Sequence, residues 1–398
     1  MSTSFLYHAF HIEGVKYNST VYEGDSLIVQ GEINESHYRC PKCKSCDFSF
    51  KGEKERTFRL PPIGRKSYFL NLRMHRIECK RCDQISWPRL PFMKGKSRMS
   101  RSFINFVLDL LKFGTIQAVA VFLKIGWDCI KDIHKETLRI RYKTISLSEC
   151  EYLSVDEFAI SSGHEYMTVF SNFRTGQIVH ATEGKDKEAI IPFLRKLKKK
   201  APKLKAIAMD MSPAFWSAVK QELPDVAIIF DRFHVMQLMT KTLDEIRKEQ
   251  QKRFGDQALK GSRFLLLANY ENLDTNGMER LNTLLVANET LFVAHTLKEQ
   301  FRSFWMKKSR EEGEIFLKKW CEDALLSGCR LLWKMAKSLI SHMNELLNYF
   351  DHPISNGRAE GINNKIKTMK RQSYGFRDME YFKLRLYHLH EQRYSLAG

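Results

Sequence analysis

Long apolar runs are scarce in this chain. Its first fourteen residues contain no basic stretch followed by an apolar one, which is the pattern of a secretion signal. The most apolar stretch, residues 103–125, is unsuited to span a membrane, because polar residues and a glycine interrupt it: Asn105, Asp109, Lys112 and Gly114. We therefore expect a cytoplasmic protein without a membrane partner.

Acidic residues are outnumbered by basic ones. The 398 residues include 65 Lys and Arg but only 46 Asp and Glu, which leaves a formal charge of +19. Such an excess attracts polyanions over a long range, so nucleic acid is the leading candidate partner. Solvated lysine faces on ordinary enzymes give the same sign, so charge alone does not separate the two. With 43% hydrophobic residues, the chain is long enough for two or three domains.

Cysteines are few, odd in number and unevenly placed. Nine cysteines fit a disulfide scaffold poorly. Four of them form two Cys-x-x-Cys pairs separated by strand-like patches, a spacing typical of a structural Zn²⁺ site: Cys40 with Cys43 and Cys79 with Cys82. We predict a zinc-binding module over residues 36–92, after an N-terminal segment over residues 1–35. The alternatives are four buried free thiols, or a ligand set that differs by one neighbouring residue: Cys46, His37 or His75.

A helical pattern follows the cysteine module. Residues 102–113 form one amphipathic stretch, Thr115 can cap a second helix, and residues 127–141 form a third after a turn at Gly126. Two helices joined by a glycine turn are typical of a helix-turn-helix, so we predict a DNA-binding domain over residues 93–147. Any three-helix bundle has the same pattern, so the assignment depends on the neighbouring modules. The candidate DNA contacts of the third helix are Lys131 and Lys135.

Strand patterns begin at Tyr152. The order β-β-β-α-β-α-β-α over residues 148–245 indicates an RNase H-like domain, whose first and fourth strands lie side by side. Asp156 ends the predicted first strand and Asp210 the fourth, so we expect both carboxylates in one cleft. Hard oxygen ligands of this kind suit two Mg²⁺ (or Mn²⁺) ions. For a single Asp at a strand end, a helix cap is the usual alternative.

A third carboxylate, Glu360, lies near the start of a predicted helix in residues 346–398. Pro353 opens this helix and Ser355 or Asn356 can cap it; the rival carboxylates are Glu345 and Glu380. Cations suited to DNA phosphates accompany Glu360: Arg358, Lys365, Lys367, Lys370 and Arg371. Residues 246–345 are predicted to form an all-α insertion, with Trp305, Trp320 and Trp333 at helical spacings. The fold class is therefore α/β and multidomain.

Four separated motifs resemble the ISL-three family of bacterial insertion-sequence transposases. They are LSVDEFA at 153–159, AMDMS at 208–212, FDRFHV at 230–235 and NGRAEGINNKIK at 356–367. The cysteine pairs and the helix-turn-helix pattern before them are also similar to that family. The resemblance implies a DDE triad with metal-binding carboxylates on Asp156, Asp210 and Glu360. It further implies that Asp231 and His234 assist catalysis, although a helix cap and an interior histidine remain the packing alternative.

The resemblance implies a function in DNA transposition. We expect the chain to bind the terminal inverted repeats of an insertion sequence and to cut and join DNA in a metal-dependent reaction. Both element ends must be brought together, so a homodimer or larger assembly associated with the bacterial nucleoid is expected. Two other functions remain open: a catalytically inactive, sequence-specific DNA-binding regulator, and a structure-selective nuclease that cuts without joining.

Overall fold

The computed structural model describes residues 5–93, 97–160, 165–255, 259–354, 357–373 and 376–391, without the side chains of residues 357–360. This part of the chain divides into two compact units, residues 5–141 and residues 142–391. Each unit has hydrophobic clusters of its own. No helix within these ranges is both long and apolar enough to cross a bilayer.

The first unit opens with a short helix and a five-stranded sheet. The strand order is β1-β2-β4-β3, with β5 paired to β4. Strands β3 and β4 form a long antiparallel hairpin, and their inward side chains, including Phe58, Leu70 and Leu72, are buried. The elements are α1 (Phe5–Phe10), β1 (Val15–Glu23), β2 (Ser26–Ile33), β3 (Phe48–Ile63), β4 (Lys66–Cys79) and β5 (Ile85–Ser86).

Three helices complete the first unit: α2 (Arg101–Leu110), α3 (Ile116–Leu123) and α4 (Trp127–Arg141). The hydroxyl of Thr115 accepts a hydrogen bond from the Ala118 N–H, so Thr115 caps α3 as the sequence predicted. The sequence predicted the turn after α3 at Gly126, but the turn lies at Lys124. Lys124 takes the left-handed conformation instead, with a φ of 53°, because its N–H closes the end of α3 on the carbonyls of Ala120 and Val121.

The second unit is built on a five-stranded mixed sheet with the order β10-β9-β6-β7-β8. Strands β6, β7 and β8 are antiparallel, whereas β6, β9 and β10 run parallel. The first and fourth strands of this unit are therefore neighbours, as the sequence predicted. The elements are β6 (Tyr152–Ala159), β7 (Tyr166–Asn172), β8 (Ile178–Glu183), α5 (Lys187–Lys200), β9 (Ala206–Met209), α6 (Pro213–Glu222), β10 (Ala227–Phe230) and α7 (Arg232–Phe254).

Helices make up the rest of the second unit. The predicted limits of the helical insertion, residues 246 and 345, both lie inside helices, in α7 and α13 respectively. A single hydrophobic cluster joins the sheet to these helices. Trp305 and Trp320 are buried in this cluster, whereas Trp333 is exposed. The elements are α8 (Ser262–Leu267), α9 (Thr275–Ala287), α10 (Glu289–Arg302), α11 (Arg310–Leu326), α12 (Arg330–Ser341), α13 (Met343–Asp351), α14 (Gly357–Gln372) and α15 (Met379–His388).

Candidate active site

The register of β6 against β9 brings two carboxylates together. Ser154 pairs with Ala208 in this parallel ladder, so the residues two positions further on, Asp156 and Asp210, reach the same edge of the sheet. Asp210 directly follows β9, as predicted. Asp156 does not end β6, contrary to the prediction, because β6 continues to Ala159 through its pairing with β7. What ends near Asp156 is the pairing with β9.

Asp156 is held by two hydrogen bonds. Its Oδ1 accepts from the backbone N–H of Glu157 at 2.7 Å, and its Oδ2 accepts from the side-chain amide of Asn363 on α14. Burial raises the pKa of Asp156 above its usual range, and the charge of Asp210 adds to this rise. The fold therefore places two carboxylates where they repel each other unless a cation lies between them.

Asp210 adjoins a histidine and a third carboxylate. His234, in the first turn of α7, lies with Nδ1 2.7 Å from Asp231 Oδ2 and 2.5 Å from Asp210 Oδ1. The hydrogen bond of Nδ1 is made to Asp231. Asp210 Oδ1 is buried and, within the described part of the chain, accepts no hydrogen bond. Burial alone would lower the pKa of His234, but the two carboxylates raise it to about 10.

Asp231 contacts both the start of its own helix and the neighbouring histidine. It is the N-cap of α7, since its Oδ1 accepts from the Phe233 N–H at 3.2 Å. Its other oxygen binds His234, which is partly exposed rather than fully interior. Asp210, Asp231 and His234 lie close enough together to hold a metal ion. Helix capping thus fixes the carboxylate that orients the histidine.

Helix α14 contacts β6 at two places. Asn363 binds Asp156, and the Lys370 ammonium donates to the carbonyl of Ala159. The side chains of Arg358 and Glu360, both predicted to be functional, lie outside the described residues, as do the predicted caps Ser355 and Asn356. The sequence analysis assigned no role to Asn363. Asn363 lies three residues after Glu360, about one helical turn, so the two residues share a face of the helix. This spacing could have identified Asn363 from the sequence.

The rival third carboxylates occupy other environments. Glu345 is buried on α13, where it accepts from the Trp216 indole at 3.0 Å and pairs with the Lys220 ammonium at 3.0 Å. These two partners stabilise the negative charge of Glu345 inside the protein. Glu380 is exposed in the first turn of α15.

The predicted DNA-binding cations differ in their surroundings. On α14, Lys370 is partly buried against β6, whereas three others are exposed: Lys365, Lys367 and Arg371. On α4, Lys131 and Lys135 are half-buried, and the Lys131 ammonium lies 5.5 Å from the centre of the Trp127 ring. The exposed cations of α14 therefore lie on the same helix as Asn363, which binds the Asp156 carboxylate.

The four paired cysteines converge at one end of the β3–β4 hairpin. The Sγ atoms of Cys40 and Cys82 are 3.6 Å apart, and those of Cys43 and Cys79 are 3.4 Å apart. All four sulfurs lie within 4.8 Å of one another, and this cluster does not include Cys46, His37 or His75. The Cys43 N–H donates to Cys40 and lowers the pKa of its thiol to about 6. The thiolate, the form that binds metal, is thus favoured at Cys40. At Cys82 the Gln84 N–H lowers the pKa, but burial and the neighbouring thiols raise it to about 12.

Comparisons with known proteins agree on one family. A family model for ISL-three transposases, described as "Transposase", matches residues 153–386. The transposase for insertion sequence element IS1001 of Bordetella parapertussis is 31% identical over 354 residues, covering 86% of this chain and 87% of the relative. The transposase for insertion sequence element IS1557 of Mycobacterium tuberculosis is 24% identical, covering 85% of this chain and 82% of the relative.

A solved structure also aligns with the chain. It is the Drosophila P element transposase strand transfer complex, with a TM-score of 0.41 and 10% identity over 76% of this chain and 94% of that chain. A structural similarity at this TM-score is too weak to indicate a shared fold. The family match covers more than half of the sequence, and the 31% identical relative is matched over most of its length. The chain therefore belongs to the ISL-three family of DDE transposases.

Proposed function

We propose that this transposase cuts and joins DNA at a two-metal site held by Asp156, Asp210 and Glu360. The observation that carries the proposal is the β6–β9 register, which brings Asp156 and Asp210 to one edge of the sheet. A sheet with three antiparallel strands, followed by parallel strands beside the first, has the topology of an RNase H-like domain. Glu360 would join this edge from α14, since it lies one helical turn before Asn363.

The donor set fits divalent metal ions. The buried Asp210 Oδ1 has no hydrogen-bond donor in the described chain, and Asp156 repels it. Mg²⁺ or Mn²⁺ prefers such carboxylate oxygens. Two bound ions would activate the attacking oxygen and stabilise the leaving oxygen of an in-line phosphoryl transfer. Asp231 would orient His234 by accepting its Nδ1 proton, which holds the imidazole beside Asp210 Oδ1.

The basic elements of both units would bind DNA. Exposed Lys365, Lys367 and Arg371 on α14 would contact phosphates, and Arg358 precedes them on the same helix. The α2–α4 helices would bind the terminal inverted repeats, with Lys131 and Lys135 on the α4 helix. Because two element ends must meet, we propose that the active form is a dimer or larger assembly.

A structural Zn²⁺ ion fits the cysteine cluster. In a tetrahedral site with Zn–S bonds of about 2.3 Å, neighbouring sulfurs are about 3.8 Å apart. The separations of 3.4 and 3.6 Å between paired Sγ atoms are close to this value. Cys40, Cys43, Cys79 and Cys82 would therefore hold Zn²⁺ and stabilise the hairpin of β3 and β4.

The proposed reaction is tested with a labelled duplex that carries the ends of the element. We expect cleavage at the element boundary and strand transfer with Mg²⁺, and neither reaction with EDTA. Asp210→Asn keeps the size of the side chain but removes its charge, so cleavage should fall about a hundred- to a thousandfold, the order expected when a catalytic electrostatic group is lost. The matched control is Asp225→Asn, an exposed residue at the other end of β10.

The outcomes separate the candidate functions. Cleavage by the intact chain that is lost in Asp210→Asn and kept in Asp225→Asn supports the proposal. Cleavage without joining would favour a nuclease. Specific binding of the element ends without any cleavage would favour an inactive DNA-binding regulator and would overturn the two-metal proposal.

A further inference from the structure

A cavity of about 870 Å³ opens beside Asp210. One wall is a face of α7, on which His234, Leu238 and Lys241 follow at helical spacing. The opposite wall comes from the helical part of the unit, with Arg263 and Leu267 of α8 and Ser338 of α12. The cavity therefore leads from the proposed metal site into the space between α7 and the helices that follow it.

The far end of this cavity is rich in positive charge. Asp244 lines it, but this carboxylate is already shared by the Arg247 guanidinium at 2.8 Å and the Lys248 ammonium at 3.0 Å. Arg263, another lining residue, lies 3.7 Å from the same carboxylate. Among the ion pairs of the described residues, none involves Lys241. Three cations around one carboxylate, with Lys241 beside them, leave a net attraction for an anion.

The walls also offer apolar and ring surfaces. Leu238 and Leu267 line opposite sides of the cavity. The His342 imidazole lines it too, and edge contacts fix its ring against Trp216 at 5.4 Å and Phe230 at 5.2 Å. Flat apolar surfaces next to cations are what a nucleotide requires, because its base stacks and its phosphate is charged.

The size of the cavity excludes double-stranded DNA. A sphere of 870 Å³ is about 12 Å across, whereas a duplex is wider than the summed depths of its two grooves, which is about 16 Å. Volumes of about 300–1,000 Å³ are typical of sites for small ligands. The cavity therefore fits unpaired nucleotides.

We infer that this cavity binds unpaired nucleotides of the DNA strand that adjoins the scissile phosphate. Phosphates of that strand would contact Lys241 and Arg263, and its bases would lie against Leu238 and Leu267. The inference rests on the proposed function, because the position of the scissile phosphate is taken from the metal site. Opening the end of a duplex costs free energy because bases are unpaired and unstacked, and binding in the cavity would offset this cost.

Fluorescence of 2-aminopurine tests the inference, because this base brightens when it leaves a base stack. The probe is placed at each of the three positions on either side of the cleavage point in an element-end duplex, and protein is added in EDTA. We expect a several-fold rise at one or two positions with the intact protein. Ser338→Trp places a large side chain in the cavity and should abolish the rise. The control is Ser341→Trp, an exposed position on the same helix that does not line the cavity.

Cleavage assays in Mg²⁺ give a second readout. Lys241→Gln combined with Arg263→Gln should lower cleavage of paired ends about tenfold or more, and mismatched bases at the responsive positions should restore part of the rate. Lys252→Gln, an exposed cation further along α7, should cleave paired ends like the intact protein. Unchanged unfolding temperatures would show that the variants fold.

The results distinguish the two levels of the proposal. If the intact protein cuts DNA but no probe brightens, or if Ser338→Trp brightens and cuts normally, the cavity inference is wrong and the metal-site proposal stands. If a millimolar mixture of mononucleotides abolishes the signal with the intact protein, free nucleotides compete for the cavity, which supports the inference. If the intact protein does not cut at all, the proposed function itself fails.

Discussion

Replacement of Asn363 by alanine tests the link between α14 and the carboxylate pair. The Asn363 amide donates to Asp156 Oδ2, while the Glu157 N–H holds Oδ1. A hydrogen bond to a charged group contributes about 1.5–3 kcal/mol, and about 1.4 kcal/mol corresponds to a tenfold change in affinity. Without the amide, Oδ2 of Asp156 loses this donor and only the Glu157 N–H restrains the carboxylate. We therefore expect the Mg²⁺ concentration for half-maximal cleavage to rise roughly 10- to 150-fold.

The assay is a metal titration of cleavage at the element end. Asn363→Ala should approach the intact maximal rate at high metal concentration, because the change acts on metal binding and not on the reacting atoms. Asn363→Asp adds a carboxylate beside Asp156, so its cleavage rate should depend on the metal concentration even more steeply than that of Asn363→Ala. The control is Asn364→Ala, the next residue on α14, which is exposed. An unchanged metal titration in Asn363→Ala would refute the positioning role of the amide.

Three further predictions concern stability and DNA binding. Cys43→Ala should reduce bound Zn²⁺, measured by atomic absorption, below one ion per chain and lower the unfolding temperature of the first unit; full occupancy would contradict the four-cysteine site. Burial lowers the pKa of His180 to about 4, and the nearby lysines add to this, so the unfolded chain binds a proton that the folded chain does not between about pH 6.5 and 4. Urea midpoints should therefore fall as pH falls through that window, and less so in His180→Phe; an equal fall in both proteins would show that His180 is not involved. Lys365→Gln with Lys367→Gln should reduce the slope of log affinity against log salt by about 2, as expected for two lost phosphate contacts; an unchanged slope would place these cations off the DNA.

The part of the site that sequence could predict depends on local patterns. Asp210 follows β9 directly, Thr115 caps α3, and the four cysteines meet as their spacing indicated. Each of these features depends on a strand end, a cap or a tight turn, which a few neighbouring residues determine. The turn at Lys124 escaped this reasoning, because glycine is only the most common residue in the left-handed conformation.

The end of β6 shows where local reasoning fails. The sequence pattern indicated that Asp156 ends the strand, but hydrogen bonds to β7 carry β6 on to Ala159. The partner strand is contributed by a later segment, so the length of a strand depends on a pairing that its own residues do not specify. The carboxylate still reaches the expected edge of the sheet, because the pairing with β9 stops beside it.

By itself the sequence determined the family, the order of the strands and the place of Asp210 directly after β9, because these depend on residue type, spacing and short-range periodicity. Only the tertiary structure decided that Asn363 binds Asp156 across 207 positions, that His234 lies between Asp210 and Asp231, and that a cavity opens between α7 and α12. Contacts of this range arise when separately formed elements pack around a shared core. Their geometry depends on the summed shapes of many buried side chains, which no local spacing encodes.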